Sequence, residues 1–278
     1  MKLVSLNIYA GHYLDKSIAH LQSINPDVLC LQELHEADVD KLQGELGMPH
    51  AIFVPSTNVT DANNKAGFRL GRIGLGILSK TELTDQQVDF YYKPNAETPI
   101  YVQNDGYCWD RALMSAQVQT AEGPIRVSTT HFTWTHDGSA SPQQRKDMAA
   151  MIDHISKQNV DVLCGDFNAP RGAEIMTHIS SRMEDHMIDG VDTTIDQNLH
   201  RVRGIKLVVD NVFSRRGLAK VDLQIKDGMS DHKALIAEFL FANLEKNRPH
   251  TQLLPLPGKI PRITPDVTSQ TDGQDRRR

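Results

Sequence analysis

The stretch Val160-Asp161-Val162-Leu163-Cys164-Gly165-Asp166-Phe167-Asn168-Ala169-Pro170 constrains the chain more than any other. An apolar run of strand length closes at Gly165, and a carboxylate and a carboxamide follow two positions apart. On an extended chain, positions i and i+2 share a face. Asp166 and Asn168 can therefore enter one cleft while Phe167 turns toward the core. Ala169-Pro170 then stops the strand, because proline has no N–H for a ladder. A buried strand that carries polar groups at its carboxyl end is how α/β folds build sites.

Other apolar runs end the same way. Lys2–Asn7 reads as a strand with Leu3, Val4 and Leu6 apolar, and Asn7 stands where it gives out. In isolation Asn7 is equally well explained as a turn cap. Val28-Leu29-Cys30-Leu31 is continuously apolar, the signature of a strand covered on both faces, and it runs into Gln32-Glu33. Ile125–Thr130 terminates in His131, which alone would pass for a satisfied structural histidine. Leu207-Val208-Val209 meets Asp210-Asn211, and Ser230-Asp231-His232 precedes a last strand over Ala234–Phe241. Arg111 opens an alternating strand that continues through Val118. An arginine there suits either a phosphate or a surface ion pair.

Helices separate these runs. Asp15–Ile24 places Ile18, Leu21 and Ile24 on one side before Asn25-Pro26 breaks the pattern. Ala37–Leu46 is amphipathic and closed by Gly47. Ser141-Pro142-Gln143-Gln144 opens the clearest helix, with Ser141 as N-cap, Pro142 in the first turn and Gln144 completing a capping box. Its Met148 and Met151 are core filling rather than a cofactor site. Ala173–Met183 is a further helix. Ile73–Leu78 and Val88–Tyr92 read as strands, Asn58–Gly71 as a loop or weak hairpin, and Lys93–Gly106 as a long loop. Long loops in compact domains tend to be functional or mobile. From Asn247 onward prolines are scattered through polar text ending in Arg276-Arg277-Arg278, so residues 244–278 read as a proline-rich, disordered tail behind a domain spanning 1–243.

Hydrophobic content of 39% and charged content of 23% allow a real core. A net charge of −5 supplies no general basic field for nucleic acid, although a local patch is compatible with it. Cys30, Cys108 and Cys164 form no C-x-x-C pair, which fits small buried hydrophobes in a reducing compartment. No apolar run approaches the ~20 residues needed to cross a bilayer, and the N-terminus lacks a signal-like apolar stretch. A cytoplasmic protein is the expectation.

Strand ends rich in carboxylates, carboxamides and imidazoles suit a hard cation, Mg²⁺ or alternatively Mn²⁺, more than zinc. The chemistry they suit is attack of water on a phosphate ester, with one carboxylate holding a metal and another orienting the water.

The ordered set Leu6-Asn7, Leu31-Gln32-Glu33, Thr130-His131, Gly165-Asp166-Phe167-Asn168, Val209-Asp210 and Ser230-Asp231-His232 resembles the endonuclease/exonuclease/phosphatase superfamily, the group with the DNase-I-like fold. The likeness covers roughly residues 1–241. It implies an α+β, four-layer α/β/β/α sandwich of two mixed sheets flanked by helices, with the active site at one end. It further implies that Asn7, Glu33 and Asp231 lie at the divalent metal. Asp166 would orient or deprotonate the water, and Asn168 would donate to the phosphoryl group. His131 would bind phosphate, and His232, held in its tautomer by Asp210, would stabilise the transition state or act as base.

In apurinic-site endonucleases of this group a tryptophan- and arginine-rich stretch precedes the aspartate at the Asp210 position. Here Gly204-Ile205-Lys206-Leu207-Val208-Val209 stands there instead, which speaks against abasic-site repair. The signatures of exported sphingomyelinases and inositol-polyphosphate phosphatases are also missing. Phe132-Thr133-Trp134-Thr135-His136 offers Trp134 for stacking on a substrate base or sugar. The expected substrate is a nucleic acid, a nucleotide or a small phosphorylated molecule. The alternative is a non-catalytic binding or scaffold module that retains the fold, docking through the 93–106 loop or the tail. A further option makes the terminal arginines an electrostatic anchor.

Overall fold

The apolar run after Met1 forms β1 (Lys2–Asn7), and α1 (Leu14–Ile24) returns the chain so that β2 (Val28–His35) lies parallel beside it. The structure, a computed structural model, describes residues 1–60, 67–93, 95–103, 105–136 and 138–241. A short 3₁₀ turn at Glu36–Asp38 leads into α2 (Val39–Leu46), which ends at Gly47 with φ 62°, a left-handed cap that glycine adopts without strain. The expected helix from Ala37 is thus split, because its first residues take the tighter turn. β3 (His50–Val59) and β4 (Gly71–Ser79) pair antiparallel, and β4 pairs with β2.

β5 (Leu83–Tyr92), β6 (Arg111–Thr120) and β7 (Gly123–His131) follow as an antiparallel meander. α3 (Pro142–Lys157) then carries the chain to β8 (Val162–Asp166), parallel to β7. Ser141 Oγ caps α3 by accepting from Gln144 N at 3.0 Å. The reciprocal half of the expected capping box is absent, because the Gln144 amide donates instead to Thr133 O at 2.6 Å. After α4 (Glu174–Ser180) and β9 (Glu184–Asp185), β10 (Asp210–Ser214) runs antiparallel to β8. β11 (Ala219–Lys226) and β12 (Ala234–Phe241) close the chain back against β1. Asp210 therefore begins a strand, and the apolar run before it is not one.

These strands form two six-stranded mixed sheets, ordered β11-β12-β1-β2-β4-β3 and β5-β6-β7-β8-β10-β9. Strand alternation sends Leu3, Cys30 and Ile77 of the first sheet inward against Met114, Val127 and Cys164 of the second. The opposite faces carry Val4, Leu29 and Leu31, covered by Leu21 of α1 and Leu42 of α2. Leu113, Leu163 and Phe213 are covered by Met148 and Met151 of α3 and by Ile175 and Ile179 of α4. The expected α/β/β/α layering is observed, and the α3 methionines fill the core. All three cysteines are buried and free.

β3 lies where the sequence carries no strand signal. Residues 61–66 of the expected 58–71 loop, positions 94 and 104 of the 93–106 loop, and all of the 244–278 tail lie outside the described residues. The described residues belong to one compact unit.

Candidate active site

Parallel pairing brings strand ends to one edge. β1 and β2 run side by side with Asn7 opposite Gln32, so Asn7 and Glu33 emerge together. The β2–β4 register shifts between Leu31 and Leu34, and Glu33 sits inside that bulge with φ 51°. Bulges of this kind re-aim a side chain. In the second sheet, His131 lies opposite Asp166 across the parallel β7–β8 pair. β10 runs the other way, so its first residue, Asp210, also lies opposite Asp166. His232 joins from the segment before β12 through a bridge to Ile195. Asn168 turns away from the strand at φ 49°, and its N–H donates to Asp166 Oδ1 at 2.8 Å. A non-glycine residue in this region costs roughly 1–3 kcal/mol. Tyr9, Ala10, Glu33 and Asn168 all adopt it beside the same edge.

Contacts across the two sheets centre on Asp166. Asn7 Nδ2 donates to Asp166 Oδ2 at 3.1 Å and to Glu33 Oε1 at 3.2 Å. Asn7 Oδ1 is occupied by Tyr9 N at 3.1 Å. The amide nitrogen, not the oxygen a cation requires, therefore faces the carboxylates. His131 Nε2 lies 3.6 Å from Asp166 Oδ2 and 3.9 Å from Glu33 Oε1. His232 Nε2 lies 3.8 Å from Asp166 Oδ2, while its Nδ1 pairs with Asp210 Oδ2 at 2.9 Å. Asp231 is buried next to His232 and accepts from Ser230 Oγ at 3.2 Å.

The charges follow from these placements. Burial alone would raise Asp166, but the His232 and His131 rings and the Asn168 and Asn7 donors bring it below the ordinary carboxylate range. Burial alone would lower His232, yet the Asp210 and Asp166 charges raise it well above the usual imidazole value. The proton of the His232–Asp210 pair therefore resides on His232. Burial, and then the Arg111 charge, push His131 down to about 3, so it is neutral. Burial and the neighbouring Asp231 charge lift Glu33 to about 7. Asp231 is raised as well, by burial first.

Arg111 is buried rather than at a surface ion pair. Its Nη1 donates to His131 O at 3.1 Å and its guanidinium lies 5.5 Å from the Trp109 ring centroid. Asn168 Nδ2 donates to Phe132 O at 2.8 Å. Trp134 is 37% exposed and packs edge-on against His136 at 6.0 Å. The tryptophan that touches the site is Trp109, edge-to-face with His131 at 5.5 Å. From it an aromatic row continues through Tyr101 at 6.2 Å, Phe68 at 5.3 Å and Tyr9 at 5.4 Å. The 197–206 segment is tied to the Tyr9 end of this row, since Tyr13 Oη donates to Leu199 O at 3.0 Å and Tyr9 stacks on Tyr13 at 6.5 Å. Arg201, exposed on that segment, acts electrostatically on both the Tyr9 and Tyr101 phenols, which also feel Glu33. Sequence reasoning missed Trp109, Tyr101, Tyr9 and Arg201. All lie outside the strands, where no period marks an inward face.

The donor set fits a hard divalent cation. Asp166, Asp210 and His232 each offer a ligand atom, and these atoms lie within 4.8 Å of one another. His232 Nδ1 is already committed to Asp210, so the oxygen-rich side toward Glu33 and Asp231 is the better seat. There, burial raises both carboxyls, Asp231 adds to the rise of Glu33, and Asp166 adds to both. A divalent ion supplies the compensating charge.

No curated protein matches this chain by sequence. Solved structures share its fold. An endonuclease/exonuclease/phosphatase from Beutenbergia cavernae superposes with TM-score 0.62 at 17% identity, covering 85% of this chain and 70% of that one. The human nocturnin catalytic domain with bound sulfate gives 0.60 at 16%, covering 87% and 93%. A mannosyl-6-phosphatase from Bacteroides thetaiotaomicron gives 0.59 at 12%, covering 87% and 100%. At these identities the likeness speaks for the fold. The family profile described as Endonuclease/Exonuclease/phosphatase family matches residues 4–232, which takes in every strand-end residue from Asn7 to His232, and the chain belongs to that family.

Proposed function

We propose that this protein is a divalent-metal-dependent phosphoesterase that hydrolyses a phosphodiester or phosphomonoester by in-line attack of water. The observation that carries the reading is the convergence on Asp166 of Asn7 and His131 from two strands and His232 from the segment before β12, at 3.1–3.8 Å. Packing alone gives no reason to gather buried acids and imidazoles from both sheets at one edge.

Glu33 and Asp231 would hold Mg²⁺ or Mn²⁺, and Asn7 would keep Glu33 and Asp166 at a fixed separation. A half-turn of the Asn7 amide would present its oxygen to the cation at the expense of the Tyr9 contact. When bound, the cation neutralises the phosphoryl oxygens and raises the electrophilicity of phosphorus. Asp166, ionised and acceptor-only, orients the attacking water and takes its proton. His232 is already protonated, so it serves as the cation that donates from Nε2 to the developing charge rather than as the base. Asp210 fixes its tautomer and orientation. His131, neutral, offers Nε2 to a non-bridging oxygen. Asn168 has a second amide N–H beyond the one given to Phe132 O. Arg111 supports His131 from beneath, and Trp134 would meet only an extended substrate.

The test is hydrolysis of bis-p-nitrophenyl phosphate and p-nitrophenyl phosphate by purified protein with Mg²⁺ or Mn²⁺. Turnover is expected to vanish with chelator and with Asp166→Ala. Turnover surviving both would sink the proposal.

A further inference from the structure

Asp210 and His232 meet at 2.9 Å although 22 positions separate them in the chain. Asp210 opens β10 in one sheet, and His232 precedes β12 in the other, so no ladder sets the register between them. Residues 193–196 span the gap. Thr194 is fully buried, and its hydroxyl oxygen accepts from Val209 N at 3.0 Å and from Asp210 N at 3.1 Å, one N–H for each lone pair. Its carbonyl accepts from Lys233 N at 2.7 Å, and its own N–H donates to Leu207 O at 3.0 Å. One residue thus grips the main chain on the Asp210 side and, through Lys233, on the His232 side. Ile195 adds the antiparallel bridge to His232, and Asp196 N donates to Asp231 O at 2.8 Å.

The strap is itself anchored. Asp196 is buried, and its carboxylate is satisfied by main-chain donors: Oδ1 accepts from Asn198 N at 2.8 Å and Leu199 N at 3.0 Å, and Oδ2 accepts from Gly228 N at 2.7 Å. These bonds close the turn after the strap and tie it to the loop that leads into His232. The same loop is fixed from the other side, where Ser17 Oγ of α1 donates to Met229 O at 2.7 Å. A side chain that substitutes for two ladder acceptors at the first residue of β10 is placed by more than local turn chemistry, since its partners lie 15 and 16 positions away.

We infer that Thr194 is a positioning residue for the Asp210–His232 pair, its hydroxyl and carbonyl setting the separation at which the two side chains meet. The kinetic consequence rests on the phosphoesterase reading of the same site. There His232 donates to charge that exists only in the transition state, so a looser pair lowers kcat and spares KM. A hydroxyl that merely held two loops together would act differently. Its removal would lower the melting temperature and leave kcat of the folded protein unchanged.

Thr194→Val keeps the shape of the side chain and withdraws the oxygen from both N–H groups. Assayed on the full chain with bis-p-nitrophenyl phosphate and Mg²⁺, well below the melting temperature, it should lower kcat about 10–100-fold with KM within about twofold. Thr194→Ser retains the oxygen and should keep kcat within about threefold of the parent. Proton NMR gives a readout independent of turnover. The His232 Nδ1–H held by Asp210 should appear as a downfield resonance, identified by its loss in His232→Gln. It should persist in Thr194→Ser and broaden through exchange with water in Thr194→Val. Should Thr194→Val fail to fold, Asp196→Asn, which weakens the anchor of the strap, should show the same kcat-selective loss and broadening at smaller size. An unchanged kcat and resonance in the folded variant, or equal losses in Thr194→Ser and Thr194→Val, would overturn the positioning role. If the parent cleaves no phosphate ester, the hydrolase reading fails, and the resonance still decides whether Thr194 sets the pair.

Discussion

At Asp166 two opposing effects meet. Burial of a carboxylate favours its protonated form, whereas two imidazoles, a backbone amide and the Asn7 amide favour the ionised one, and the second group wins. Asp166→Asn keeps the shape and removes the acceptor charge. It should lower kcat by about 10²–10⁴ while the circular dichroism spectrum stays that of the parent. Glu33 provides a pH test. Its folded, metal-free value of about 7 lies above the ordinary 4.5, so below pH 7 it is largely protonated. A cation must displace that proton. Mg²⁺ affinity should therefore rise about tenfold per pH unit up to pH ~7 and level off above it. Calorimetry in two buffers of different ionisation heat should register proton release at pH 6 and much less at pH 8. Proton-free binding at pH 6 would contradict this placement of Glu33. Asn7, Glu33, His131 and Asp166 could be found in the sequence because each closes an apolar run. Asp210 was found for a different reason than the one that places it: antiparallel pairing makes a strand's first residue equivalent to its partner's last.

Among the elements, the β7–β8 pair, like β3–β4 at Gly74, leaves no room for a side chain. A Cβ on Gly165, at φ 148°, would lie 2.0 Å from Thr130 O, so the strands approach more closely than any side chain permits. Gly165→Ala should destabilise the fold by about 3 kcal/mol or more, read as a shift of the denaturant midpoint at constant slope. Gly44, exposed in α2 with nothing within 4 Å of its added Cβ, should behave oppositely. Gly44→Ala should stabilise by about 0.5–1 kcal/mol. The inner strands and α3 were legible because burial on both faces or an Ser-Pro cap leaves a local mark. β3 was not, since an edge strand interrupted by Pro55 and half-exposed over His50–Pro55 lacks both alternation and a continuous apolar run. The aromatic row was hidden for another reason. Tyr9, Phe68 and the Tyr101–Trp109 pair come from three separate connections whose meeting depends on the sheets having already assembled.

Across the whole molecule, the family match ends at residue 232 and the last described strand at Phe241. A chain truncated after residue 243 should therefore fold and hydrolyse bis-p-nitrophenyl phosphate with kcat/KM within about twofold of the full chain. A larger loss would mean that residues 244–278 take part in the chemistry. The sandwich has one further property. Asn7, Glu33 and His232 belong to the strands of one sheet and its approaches, while His131, Asp166 and Asp210 belong to the other. Every contact among them from one group to the other spans the seam between the layers. The Asn7–Asp166 and His232–Asp210 hydrogen bonds are thus rivets through two plates, and cutting the first with Asn7→Ala should speed amide exchange along β1 and β8 together.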